Sequence, residues 1–206
     1  EAENLGKSIE HERFRNDDLK SKLLINISTS LYNQEKYNEA ILYAKKAIKA
    51  NNGKFFHQYK YISDIYIKQY DLENAKKILE DNINNTNQNL FNISIGYILF
   101  LQKQYNEAID VLLICDDKKI NHKVNIQKKY CTIGRCYVQL NKYEEALKYL
   151  RNVLTIKGDF YYIAQYNIAI CKYQLGHIEE AIKICEDVLK NHKDKVTEEF
   201  LSDLYL

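Results

Sequence analysis

Apolar and small residues recur along this chain at helical spacing, and the spacing itself recurs. The segment "LNKYEEALKYL" at residues 140–150 returns as "QEKYNEAILYA" from Gln34, "QKQYNEAIDVL" from Gln102 and "LGHIEEAIKIC" from Leu175, with a looser copy, "QYDLENAKKIL", from Gln69. Aligned on the Ala that ends the shared part, the copies mark Ala40, Ala75, Ala108, Ala146 and Ala181, at spacings of 35, 33, 38 and 35 residues. Twelve positions before each Ala stands a small residue (Ser28, Ser63, Gly96, Gly134, Ala169), and one position earlier always Ile, at 27, 62, 95, 133 and 168. Large apolar residues sit nine before the Ala (Leu31, Tyr66, Leu99, Tyr137) and three before it (Tyr37, Leu72, Tyr105, Tyr143, Ile178); the last copy has Lys172 at the former position and offers Tyr173 beside it.

This pattern predicts helical hairpins. Each unit reads as two helices of three to four turns joined by a tight connection such as "NQEK" or "QLNK". Small residues let the paired backbones approach, and large ones at i, i+3 and i+4 fill the space beside them. One hairpin cannot bury its apolar stripe alone. Stacking the next hairpin on it does so, giving a solenoid whose stability sums unit and neighbour contributions.

The period and the Gly, Tyr and Ala offsets resemble the tetratricopeptide repeat (TPR), a 34-residue helix-turn-helix unit. The resemblance implies an all-α fold, an α-solenoid of antiparallel helix pairs forming a right-handed superhelix. It covers residues 17–190 as five units, about 17–50, 54–85, 87–116, 121–156 and 159–190. The chain departs from the family in two ways. The usual Trp near the start of each unit is replaced by Leu24, Tyr59, Asn92, Tyr130 and Gln165, and no Pro closes a repeat, "NNGK" and "IKGDF" using Gly instead. Residues 1–15, with Ala2 in the marker position 38 residues before Ala40, read as the second helix of a truncated preceding repeat, which implies a parent protein that continues upstream. Residues 194–206, with Val196, Phe200, Leu201 and Leu204 at helical spacing, read as a C-terminal capping helix.

Composition agrees with the pattern and narrows the function. The 206 residues include no Pro and 6 Gly, so helix breakers are scarce. The 30 Lys and Arg nearly cancel the 28 Asp and Glu, which gives no reason to expect a nucleic-acid partner. The longest apolar run, Ile93 to Leu101, is far below the ~18 residues of a membrane span. The 5 Cys form no disulfide framework or zinc pattern and read as reduced thiols of a cytoplasmic protein. Sequons at Asn26, Asn84 and Asn92 are what chance gives an Asn-rich chain. The basic group Lys118, Lys119, Lys123, Lys128 and Lys129, where the spacing stretches to 38, reads as a solvated loop and helix start.

In the family resembled here, the first helix of each pair lines a concave wall where a protein or peptide segment binds. That register places Lys60 and Tyr61 on the wall in the second unit and Ile93, Tyr97, Phe100 and Leu101 in the third. Lys128, Arg135 and Cys131 follow from the fourth unit, and Tyr166, Asn167 and Tyr173 from the fifth. An aromatic and aliphatic strip edged by cations suits an apolar or amphipathic segment carrying an acidic group. The carboxylate clamp of chaperone-binding family members is not expected, because no three consecutive units supply its Lys, Asn and Arg set and Asp64 would repel the ligand.

Candidate chemistry is sparse. Cys115, Cys136, Cys171 and Cys185 fall at packed positions, leaving Cys131 as the one thiol expected to face the groove. His11, His57, His122, His177 and His192 have no i, i+4 partner or nearby Cys ligand, so neither a metal nor another cofactor is expected. No nucleophile elbow, phosphate loop or paired-carboxylate pattern marks catalytic residues. The sequence-based expectation is a non-catalytic interaction scaffold. The alternatives are a peptide-sensing domain of a cytosolic quorum-sensing-type regulator, which it resembles in architecture, and the regulatory arm of a larger enzyme.

Overall fold

The structure, a computed structural model, describes residues 2–84, 87–120, 122–155 and 158–205, with side chains from residue 16 onward apart from Asp159. The expected unit edges at 85, 121 and 156 lie outside the described residues. The regular elements among the described residues are all helical. The chain divides into two compact units, residues 1–87 and 88–206. The first holds α1 (Ala2–Asn33), α2 (Tyr37–Ala50), α3 (His57–Lys68) and α4 (Leu72–Glu80). The second holds α5 (Gln88–Leu101), α6 (Tyr105–Leu113), α7 (Lys123–Gln139), α8 (Tyr143–Val153), α9 (Asp159–Gln174), α10 (Ile178–Asn191) and α11 (Lys195–Leu204).

The repeat register is written into the packing. Ala40, Ala75, Ala108, Ala146 and Ala181 have no exposed surface, and each opens the face of a second helix that meets its own first helix. A Cβ on Gly96 would stand 2.5 Å from Leu112 Cγ, and one on Gly134 2.5 Å from Leu150 Cγ, so both leucines occupy the place a side chain would take. Where the small residue is Ser, its hydroxyl closes the gap differently. Ser28 Oγ donates to the Ala40 carbonyl at 2.6 Å and Ser63 Oγ to the Ala75 carbonyl at 2.8 Å. Ala169 packs in a cluster with Ala181 and Cys185, joined by Phe200, Leu201 and Leu204 of α11.

The connection inside each hairpin is also shared. Five positions before each marker Ala the backbone turns left-handed, at Glu35 (φ 61°), Tyr70 (59°), Lys103 (63°), Asn141 (57°) and Gly176 (83°). The next N–H then reaches the carbonyl five residues back, as in Lys36 to Leu31 and Asp71 to Tyr66, both at 2.9 Å. The left-handed residue's own N–H bonds three back, completing a Schellman stop that satisfies carbonyls at the helix end. Only one of the five positions carries Gly and one Asn, the residues that adopt this conformation at least cost.

Two sequence-based expectations about the fold are corrected. No break separates residues 1–15 from the first full unit: α1 runs without interruption from Ala2 to Asn33. The run "RNDDLKSK" offers N-cap side chains but neither Gly nor Pro, and a cap without a breaker does not stop a helix. Lys129, in turn, is not solvated. It is buried at 5% exposure, its Nζ donating to the Cys115 carbonyl and to Asp117 Oδ1, each at 2.7 Å. The Tyr130 hydroxyl donates to the other oxygen of Asp117. Burial alone would raise the Asp117 carboxyl, but these hydrogen bonds outweigh it and hold it below the usual carboxylate range. The extra residues behind the 38-residue spacing therefore form a 3₁₀ turn, Asp117–Lys119, pinned onto α7.

Two substitutions test this account through the midpoint of chemical denaturation. Gly134→Ala is expected to lower stability by about 1–3 kcal/mol, because overpacking against Leu150 exceeds the gain in helix propensity of about 1 kcal/mol. Tyr70→Gly is expected to raise it by about 1 kcal/mol, since Tyr70 is 90% exposed and no burial offsets its left-handed backbone.

Candidate functional site

In the second unit, α5, α7 and α9 are the first helices of successive pairs, and α7 packs on both of the others. Their shared face carries an aromatic and cationic strip. The Tyr97 and Phe100 rings stack with centroids 6.4 Å apart. Lys128 Nζ lies 4.6 Å from the Tyr97 centroid and the Arg135 guanidinium carbon 4.4 Å from that of Phe100. Each cation thus covers an aromatic face of the neighbouring helix, a contact of roughly 0.5–2 kcal/mol depending on desolvation.

Next to this strip opens a cavity of about 570 Å³. Phe100, Arg135 and Gln139 form one side and Ile163, Tyr166, Asn167 and Ile170 of α9 its floor. Tyr162, Val188, His192, Asp194 and Val196 complete it from α9, α10 and the start of α11. Its volume falls in the range of roughly 300–1,000 Å³ usual for ligand sites. Tyr162 and His192 stack at 4.6 Å with rings 9° apart, and Phe200 meets Tyr166 and Tyr173 edge-on at 5.8 and 5.9 Å. Asp194 Oδ2 accepts from the Thr197 backbone N–H at 3.0 Å, capping α11 and fixing the carboxylate at the cavity rim. The Tyr166 hydroxyl is pushed above its ordinary pKa by burial, then by the carboxylates of Asp194 and Glu199, with Cys185 contributing.

Of the residues expected on the wall, Phe100, Arg135, Tyr166 and Asn167 line this cavity, Asn167 with its amide donating to the Ile163 carbonyl at 2.7 Å. Tyr97 and Lys128 form the adjoining strip, Leu101 is half-buried at the end of α5, and Tyr173 is partly exposed beside Phe200. Lys60 and Tyr61 belong to the first unit. There Lys60 is paired with Asp64 at 2.7 Å, and Tyr61 packs against the core around Ala40 and Ile62, its ring 6.4 Å from that of Tyr32.

Ile93 and Cys131 were expected to be accessible, and both are corrected here: each is 1% exposed. They share one register, fifteen before the marker Ala. Cys131 is enclosed in a cluster with Ala146 and Leu150 of α8 and with Ala164 and Ile168 of α9. Ile93 lies in a helix buried continuously from Phe91 to Gly96, which has no polar stripe to mark an open face. The site residues missed by sequence reasoning are Tyr162, Val188, His192, Asp194 and Val196. Of these, Asp194 carried a signal: an N-cap residue before the apolar spacing of α11.

With this geometry in view, the comparisons with known proteins are consistent. Models described as tetratricopeptide repeat match residues 134–198 and 22–51, and one described as anaphase-promoting complex, cyclosome, subunit 3 matches residues 68–153. The chain is a tetratricopeptide repeat protein. No curated protein matches it in sequence. Among solved structures it is similar in fold to MamA, at 19% identity and TM-score 0.62, with 91% of this chain and 96% of that one covered. A thermophilic TPR protein of Thermus thermophilus aligns at 13% identity and TM-score 0.68 over 90% and 98% of the two chains. YrrB, described as a TPR protein with an unusual peptide-binding site, aligns at 17% identity and TM-score 0.58 over 96% and 97%. No helix among the described residues is long and apolar enough to cross a membrane.

All five thiols are buried, and burial pushes them up from an ordinary 9.0, to about 12 for Cys136 and about 11 for the other four. A raised native pKa contributes stability that is whole below the unfolded value and lost as pH climbs through the native one. The native chain is therefore expected to resist maleimide labelling at pH 8 and to react at five sites once unfolded in guanidinium, with its stability falling between about pH 9 and pH 11–12. Rapid labelling of Cys131 in the native chain would contradict its enclosure.

Proposed function

We propose that this chain is a non-catalytic interaction scaffold that holds a protein or peptide segment along the inner faces of its first helices, with the cavity of the second unit as the principal grip. The observation that carries the reading is the joining of that cavity to the Tyr97–Phe100 strip with its two overlying cations. Aromatic rings and arginine dominate the binding energy of interfaces because they combine large apolar area with directional polar groups. The partner is an apolar or amphipathic segment bearing an acidic group, whose side chains would displace water from Ile163, Tyr166 and Ile170. The scaffold's five free thiols support a reducing, cytoplasmic setting. The peptide-binding site described for YrrB supports the class of ligand, though likeness at this identity is one of fold.

The test is affinity capture with the full chain, followed by calorimetric titration of the captured partner against variants. Phe100→Ala with Tyr166→Ala is expected to weaken binding by about 2 kcal/mol or more, with helix content by circular dichroism unchanged. Undiminished affinity would remove the cavity from the interface.

A further inference from the structure

The cavity carries opposite charge on its two sides. Arg135 of α7 is half-buried against Phe100, and among the described residues no carboxylate pairs with it. Asp194, at the start of α11, is held by Thr197, and among the described residues no cation pairs with it. Helix α9 stands between them, packing on α7 and meeting α11 through Tyr166 and Phe200, and it presents Ile163, Tyr166 and Ile170 to the space. A guanidinium that has given up water without gaining a counter-ion is a cost a ligand carboxylate relieves by charge-assisted hydrogen bonds. A fixed carboxylate at the opposite rim selects a cation in the same way. Electrostatic complementarity of this kind sets orientation and partner choice more than raw affinity.

We propose that the cavity takes an extended, dipolar peptide segment: a carboxylate against Arg135, an apolar side chain over Ile163, Tyr166 and Ile170, and a cationic group at Asp194. This rests on the binding function proposed above and adds to it the order of charges. Neighbouring helices lie about 8–10 Å apart, so α7 to α11 is two such steps, less the reach of the side chains. An extended chain covers that with about four or five residues at ~3.3 Å each. The Tyr166 hydroxyl, which the two carboxylates beside it help keep protonated, remains a donor on the acidic side.

Four capped, fluorescently labelled pentapeptides sharing a Leu-Phe-Leu centre test the proposal by anisotropy with the full chain. Their ends are Asp and Lys, Lys and Asp, Asp and Gln, or Asn and Gln. One of the two dipolar peptides is expected to bind about tenfold tighter than the neutral one or more. Arg135→Gln should abolish the gain from Asp, and Asp194→Asn the gain from Lys, each lowering the affinity of the matching charged peptide several-fold more than that of the neutral one. Asn caps a helix as well as Asp does, so the second variant keeps the start of α11. Equal binding of all four peptides would overturn the charge order while leaving an apolar dock in place, provided Phe100→Ala still weakens the captured partner. Binding by none of them, or equal losses across all four in the variants, would overturn it as well. Absence of peptide binding together with an unaltered partner affinity in Phe100→Ala would sink both proposals.

Discussion

Everything in this chain depends on how near the two helices of each hairpin can come. The crossing point is set by one small residue on the first helix and the buried face of the second, twelve to sixteen residues later. The chain solves the same volume problem in different ways: Gly96 with Leu112 and Gly134 with Leu150, Ser28 and Ser63 with a hydroxyl bonded to the opposite carbonyl, Ala169 with Ala181 and Cys185. In each case the two sides meet without room for a larger residue or with a hydrogen bond across the gap, as close packing in interiors requires. The serines add a bond across the crossing that apolar pairs lack, and they do so where a buried hydroxyl would otherwise be costly.

That crossing needs the chain to reverse within three or four residues, and the left-handed stop five before each marker Ala provides the reversal. Four of the five stops use a residue other than Gly, and three of them a residue other than Asn or Gly, so the turn is imposed by the packing of the helices on either side. Local preference and tertiary demand disagree there, and the tertiary demand prevails. The longer connection before α7 shows the complementary case. It is held by Lys129, whose ammonium is buried only because it meets the Cys115 carbonyl and Asp117 together. A buried cation is tolerated when its donors find acceptors, and here one acceptor is the Cys115 carbonyl just past α6 and the other the carboxylate of Asp117 in the inserted turn.

These contrasts explain what could be read in advance. The period, the marker alanines and the small residues before them were legible because they answer to a steric constraint that few residue types satisfy. The stops at Glu35, Tyr70 and Lys103 were not legible as left-handed, because those side chains do not announce that conformation. The continuity of α1 escaped because Asn16, Asp17 and Asp18 look like a helix start, and only the lack of a breaker tells otherwise. Lys129 escaped because charge in sequence says nothing about a carbonyl waiting in a nearby loop. At the candidate site, Phe100, Arg135, Tyr166 and Asn167 were placed by register alone. Ile93 and Cys131, from the same register logic, were misplaced because the row fifteen before the marker turns inward in the third and fourth units, where its side chains are apolar or nearly so. His192, Asp194 and Val196 lie outside the repeat altogether, and no period can predict them.

The division between constrained and free positions also indicates where function can reside. Twelve before the marker Ala the chain allows only Ser, Gly or Ala, but one position later it places Thr29, Asp64, Tyr97, Arg135 and Ile170, five chemically unrelated side chains. None of the five is fully buried. A helix turns 100° per residue, so adjacent positions face different surroundings: one is clamped between paired helices and the next looks onto the inner face. The first can vary only in ways that keep the backbones close. The second is not limited to small residues, so aromatic, cationic and aliphatic groups all occur there. In the second unit that freedom yields Tyr97, Arg135 and Ile170 on three successive first helices, and the last two of these line the same cavity. The fold therefore separates two kinds of position by a single residue step: one is fixed in size by the closeness of the paired helices, and its neighbour, free of that limit, can vary in chemistry.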